Sequence, residues 1–181
     1  VVGLLVEMIK KDLDLSDTRA SFVLGLSGVL FATFLGLPVA RLVDLMSRRL
    51  LIGLGLFAVS ISTAACGLAQ GFWSLLIART LGGIGATGNG PATFSILADY
   101  FAPAKLPKAL AVMNIGFVVS QAAAPLLGGA LIGLIASVPN LHLPVVGTLH
   151  AWQIVLLVIA IPEFLLAIMT LTLVHEPARR G

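Results

Sequence analysis

Charge is the scarcest property of this sequence. Only 10% of its 181 residues are Asp, Glu, Lys or Arg, whereas soluble domains carry about 25%. With 59% hydrophobic residues and a mean hydropathy of +1.08, the chain cannot clothe itself in a water-facing surface. A single compact domain is expected at this length, so lipid has to stand where the charged shell would be.

Other absences narrow the field. Cys66 is the only cysteine and lies in an apolar run, which excludes an intrachain disulfide and any cysteine-based metal spacing. No catalytic triad, metal cluster or phosphate loop is spelled anywhere, so the sequence points to no enzyme, cofactor or metal. Gly83, Gly85 and Gly88 do read GxGxxG, but no strand precedes them and the context for a dinucleotide is lacking. They read as packing glycines of an apolar helix. The N-terminus has neither the cationic start nor the small-residue cleavage site of a leader. A net charge of +3 would suit nucleic acid if it were clustered. The cations instead sit in twos and threes between apolar runs, so no nucleic-acid partner is expected.

What is present is length of apolar run. Five stretches are long enough to cross a hydrocarbon layer of about 30 Å: Ser21–Val39, Leu50–Leu68, Leu75–Leu97, Leu110–Ile135 and Trp152–Val174. Val1–Ile9 is apolar but too short, and reads as the last turns of a truncated first helix. The fold class expected is therefore all-α: a membrane bundle of five full spans, counted second to sixth, and the end of a first.

The loops orient it. One side receives Arg41, Arg48, Arg49, Lys105, Lys108, Arg179 and Arg180, the other only Lys10, Lys11 and Arg19. Because short cytoplasmic loops hold the excess of Lys and Arg, seven against three places Gly181 in the cytoplasm. A multi-pass protein of the cell inner membrane is expected.

The eleventh cation, Arg79, lies inside the fourth span. At 100° per residue, Gly83, Ala86, Gly90 and Thr93 fall within about 40° of it, a small-residue face of the kind that lets helices approach. Arg79 then points into the bundle, and an intramembrane charge is by default a functional candidate; the alternative is a guanidinium snorkelling outward. Asn114 and Gln121 share a face of the fifth span with Pro125 and Gly128, either as a cavity wall or as simple interhelical hydrogen-bonding amides. Pro91 and Pro125 each remove a backbone donor and disturb the carbonyls of Thr87 and Gln121. Glu163 sits about 16 Å inside the Trp152 end of the sixth span. A proton-carrying role is open to it, although a protonated, hydrogen-bonded Glu beside Pro162 is the plainer reading. With Asn89, the candidate substrate or coupling residues are Arg79, Asn114, Gln121 and Glu163.

The segment Ala40–Arg49 resembles the signature loop between the second and third helices of the major facilitator superfamily. Asp44, Arg48 and Arg49 match its acid and basic pair and Leu42 its aliphatic position; Ala40, Leu45 and Ser47 depart from its usual Gly, Arg and Gly. Such a cluster at a helix corner can open and close with domain motion, so these three charges are the candidate cytoplasmic gate. Leu5–Thr18, Ala78–Arg79 leading to Pro91–Ala92, Ala98–Phe101, Ala124–Pro125 with Gly128–Gly129, and Glu176–Pro177 together resemble the spinster-like branch of that superfamily.

The resemblance implies twelve helices in two halves and alternating access for a small-molecule or lipid-like substrate. It also implies a second six-helix half, not in this chain, as partner. Ala86 stands where the family's fourth helix usually carries a Glu, and the acid of the family's first helix would precede Val1, which takes away the usual pair for proton coupling. The competing expectation is a truncated membrane fragment that transports nothing or serves as an assembly partner.

Overall fold

The computed structural model describes residues 2–26, 33–34, 38, 41, 46–136, 141–143 and 147–177. Most of the second span and Asp44 lie outside the described residues. Seven α-helices are described: α1 (Val2–Asp12), α2 (Asp17–Ser21), α3 (Arg48–Gly67), α4 (Phe72–Thr87), α5 (Asn89–Tyr100), α6 (Leu106–Ala136) and α7 (Ala151–Leu173). Of these α3, α6 and α7 are long and apolar enough to cross a membrane. A π-type turn at Phe22–Leu26 continues α2.

Chemistry at the ends sets where these helices begin. Lys10 and Lys11 occupy the last turn of α1, where cations complement the negative helix end. Asp14, at φ 48°, turns the chain through the left-handed region that Asp tolerates better than most residues. Ser16 then caps α2 by accepting from the Arg19 amide at 3.4 Å.

The helix α3 is the spine, with its most extensive contacts to α7 and then to α4. Two series of small residues, each seven apart, make this possible. On the α7 side, a Cβ at Gly53 would stand 2.3 Å from Leu171, Ser60 donates to the Ala160 carbonyl at 3.0 Å, and Gly67 meets the Gln153 carbonyl. On the α4 side, a Cβ at Gly55 would come within 2.6 Å of the Gly85 carbonyl, and Ser62 donates to the Ala78 carbonyl at 2.6 Å. Lipid supplies little hydrophobic drive for helices to associate, so close backbone approach and hydrogen bonds hold these pairs. The two series are offset by two residues, about 200° around the helix, so α3 lies between antiparallel neighbours.

At one end of the bundle, five elements converge on Trp152, which is fully buried. Leu5 and Ile9 of α1, Cys66 of α3, Leu75 of α4 and Ile135 of α6 belong to the same cluster. Asp12 accepts from Trp152 Nε1 at 2.8 Å and faces His150 Nδ1 at 3.1 Å, fastening α1 to α7.

Two features differ from the sequence expectation. The Ser137–Ala151 connection contains a small antiparallel ribbon, β1 (Leu141–Leu143) against β2 (Gly147–Leu149), with His142 opposite Thr148. Three-residue strands are too short to leave a period in the sequence. The fourth span is divided into α4 and α5 at Gly88 alone, which keeps helical φ −81° and ψ −17° and whose carbonyl accepts from the Ala92 amide at 3.2 Å. Pro91 falls in the first turn of α5, where its missing N–H costs least.

Candidate functional site

Arg48 opens α3 and is 3% exposed, buried at the end opposite Trp152. Its Nη1 donates to Ser95 Oγ at 2.9 Å and pairs with Asp99 Oδ2. Its backbone N–H donates to Glu176 Oε1 at 2.8 Å, with Nε 3.5 Å from the same oxygen, and Nη2 reaches the Pro177 carbonyl. One guanidinium thus joins α3, α5 and the segment leaving α7, the geometry in which Arg, with its rigid fork of donors, outperforms Lys. Arg49 donates to the Leu171 carbonyl, and Tyr100 Oη to that of His175. The sequence reading named Arg48 and Arg49 but not Ser95, Asp99 or Glu176 as their partners. Asp99 and Glu176 stood in the quoted signature segments, and charged residues at the ends of two apolar spans were the available signal.

The small-residue face of α4 needs correcting by one residue. The face against α3 is Ala78, Gly82 and Gly85, where a Cβ at Gly82 would stand 2.3 Å from Ser62 and one at Gly85 2.7 Å from Ala58. Ala86 is exposed, Gly83 half-buried, and Gly90 has nothing within 4 Å of a built Cβ. Burial by α3 requires contact and not smallness alone. Arg79 is half-buried on α4.

Asn89 and Asn114 come together. Both line a cavity of about 500 Å³ between α5 and α6, with Thr93, Phe94, Met113 and Phe117. Asn89 also presses on α3, since a Cβ at Gly55 would lie 2.2 Å from its Oδ1; that oxygen is buried and has no hydrogen-bond partner among the described residues. Gln121 and Pro125 are exposed farther along α6, beyond the cavity lining, while Gly128 is buried and a Cβ at Gly129 would meet nothing within 4 Å. The helix α6 runs through Pro125 without interruption.

Glu163 is not part of this cavity. Its Oε2 lies 2.8 Å from Thr63 Oγ1, on the α3–α7 seam where Phe57 also meets Phe164. Thr63 Oγ1 is in addition 3.0 Å from the Val59 carbonyl.

Helices long and apolar enough to cross a membrane, joined at one end by a buried guanidinium and leaving a cavity lined by Asn89 and Asn114 between α5 and α6, make up a half-bundle. The sequence profile of the Major Facilitator Superfamily matches residues 1–181, and the chain belongs to that superfamily. Two solved structures of a bacterial homolog to the human lysosomal transporter Spinster are similar over 99% of this chain. The inward-facing occupied form has a TM-score of 0.88 at 28% identity, and the inward-facing unoccupied form 0.86 at 27%. These place the chain in the spinster-like branch.

Among curated relatives, Multidrug resistance protein 3 of Bacillus subtilis (strain 168) is 35% identical over 98 residues, 54% of this chain and 19% of that protein. The MFS-type efflux pump of Mycolicibacterium smegmatis is 31% identical over 130 residues, 72% of this chain and 30% of that protein. The chain spans 41% of the occupied Spinster homolog structure.

Proposed function

We propose that the chain is the N-terminal six-helix half of a secondary active transporter that moves a small organic or lipid-like solute by alternating access. A second half is its partner, and the cell inner membrane its location. The observation that carries this reading is the meeting of Asn89 and Asn114 across a cavity of about 500 Å³ between α5 and α6. Polar groups facing a gap between membrane helices are costly there and by default mark a solute or ion site. The names of two relatives, a multidrug resistance protein and an efflux pump, support organic solutes as the cargo.

The Arg48 end faces the cytoplasm by the count of seven cations against three. There the Arg48, Asp99 and Glu176 cluster holds α3, α5 and the exit of α7 together, so that this half moves as one body and the gate works at its edge. Arg79 supplies a fixed positive charge to the solute path, with Asn114 and Gln121 along α6. Glu163, on the α3–α7 seam, is assigned no contact with the solute.

The test is Arg79→Lys in a chain completed by its second half, reconstituted in liposomes and assayed with a panel of fluorescent drugs. Losing the bidentate fork is expected to lower uptake on the order of tenfold or more, the loss of one charged hydrogen bond, with insertion unchanged. Normal uptake would return Arg79 to the snorkelling alternative, and failed insertion would make its role one of folding. Uptake by the completed protein with none by the 181-residue chain would show that the chain alone is a non-transporting membrane piece.

A further inference from the structure

A second cleft lies along the same pair of helices, adjoining the amide cavity at Thr93 and Met113. It encloses about 620 Å³ between α5 and α6, walled by Thr93, Leu97 and Phe101 on one side and Ala109, Val112 and Met113 on the other. Its mouth carries Lys105 and Lys108 at the start of α6. Both lysines are exposed, and among the described residues neither is in an ion pair. The face of α5 that lines the cleft is not the one that serves Arg48. Residues 93, 97 and 101 lie about 200° around the helix from 95 and 99, so cleft and charge cluster are separate features of one helix.

The dimensions point to an occupant. Thr93 and Met113 also line the amide cavity, so the cleft ends inward where that cavity begins. The five-residue advance from Lys108 to Met113 covers about 7.5 Å, half of the roughly 15 Å depth of one leaflet of a 30 Å hydrocarbon layer. The pattern is two cations at the mouth, then an apolar slot that takes the headgroup-proximal part of an acyl chain. A soluble anion would find charge but no use for the slot, and a neutral lipid would find the slot but leave the lysines unanswered. Basic residues flanking a gap between membrane helices attract anionic headgroups.

We propose that the α5–α6 cleft seats one anionic phospholipid of the leaflet at the Arg48 end, its phosphate on Lys105 and Lys108 and an acyl chain between Leu97 and Val112. This requires only that the chain lies in a membrane and does not depend on transport, so either proposal can fail without the other.

The test is native mass spectrometry of the detergent-purified 181-residue chain offered dioleoyl phosphatidylglycerol and dioleoyl phosphatidylcholine in equal amounts. One phosphatidylglycerol should be retained in preference, by about five-fold for each lysine and roughly 30-fold for the pair. Lys105→Gln with Lys108→Gln should erase the preference, and Lys105→Arg with Lys108→Arg should keep it, which separates loss of charge from loss of fold. Ala109→Trp, filling the slot with both lysines in place, should also release the lipid. Retention unaffected by Ala109→Trp would mean surface charge alone and would overturn the proposal. Equal retention of phosphatidylcholine, or of oleate in place of the phospholipid, would overturn it too. So would loss of the lipid when the chain is completed by its second half, since the slot would then belong to that half.

Discussion

The most exacting prediction concerns Asp99→Asn. Arg48 is 3% exposed and Asp99 only 11%, so the substitution removes the anion from a buried ion pair while leaving its cation in place. Breaking such a pair from one side costs about 3–5 kcal/mol, because the remaining charge keeps its desolvation penalty. Glu176 still accepts from the Arg48 backbone N–H at 2.8 Å and stays 3.5 Å from Nε, and Ser95 Oγ remains at 2.9 Å. The expected loss is therefore at the lower end, about 3 kcal/mol.

The assay is unfolding by added SDS in mixed micelles, followed by far-ultraviolet circular dichroism. Arg48→Met should cost less, since Asp99 and Glu176 are both more exposed than the 3% of Arg48. The double variant should recover at least about 1 kcal/mol of the summed losses, the coupling expected of direct partners. Arg49→Met, which loses only a bond to the Leu171 carbonyl, should cost about 1 kcal/mol. A loss within about 0.5 kcal/mol for Asp99→Asn, the range of an ordinary surface change, would refute the claim that Arg48 is held by Asp99.

Three further outcomes are expected. Gly55→Leu should disrupt the α3–α4 pairing by several kcal/mol in the same SDS titration, because even a Cβ there would lie 2.2 Å from Asn89 Oδ1 and 2.6 Å from a backbone carbonyl; Gly129→Ala, with nothing within 4 Å, should be nearly silent. Asp12→Ala should cost about 1–3 kcal/mol by orphaning the buried Trp152 Nε1, and the tryptophan emission should change with it; unchanged emission and stability would sever α1 from α7. After replacement of Cys66, single cysteines at Ser47 and Pro107 should react with an impermeant maleimide only from the cytoplasm and one at Gln70 only from outside, and the reverse would invert the orientation.

Much of the architecture was legible before any coordinates. Long apolar runs announce membrane helices because an unpaired backbone group in hydrocarbon is so costly that little besides a helix can cross, and the predicted spans Leu50–Leu68 and Trp152–Val174 lie within a residue or two of α3 and α7. The family was legible because its signatures sit at helix ends, where local sequence and local structure coincide.

The candidate site was less so. That Asn89 and Asn114 share a cavity, while Glu163 sits apart against Thr63, depends on how helices rotate about their own axes. In lipid that rotation is chosen by which small residues of a neighbour permit close approach. The sequence supplied small residues on two adjacent faces of the fourth span, Gly82 with Gly85 and Gly83 with Ala86, and only the presence of Ser62 and Ala58 on α3 decided between them. For the same reason Arg48 could be named as a candidate from its neighbours in the chain, but its partners Asp99 and Glu176, 51 and 128 residues away, became visible only when three helix ends were brought to one place.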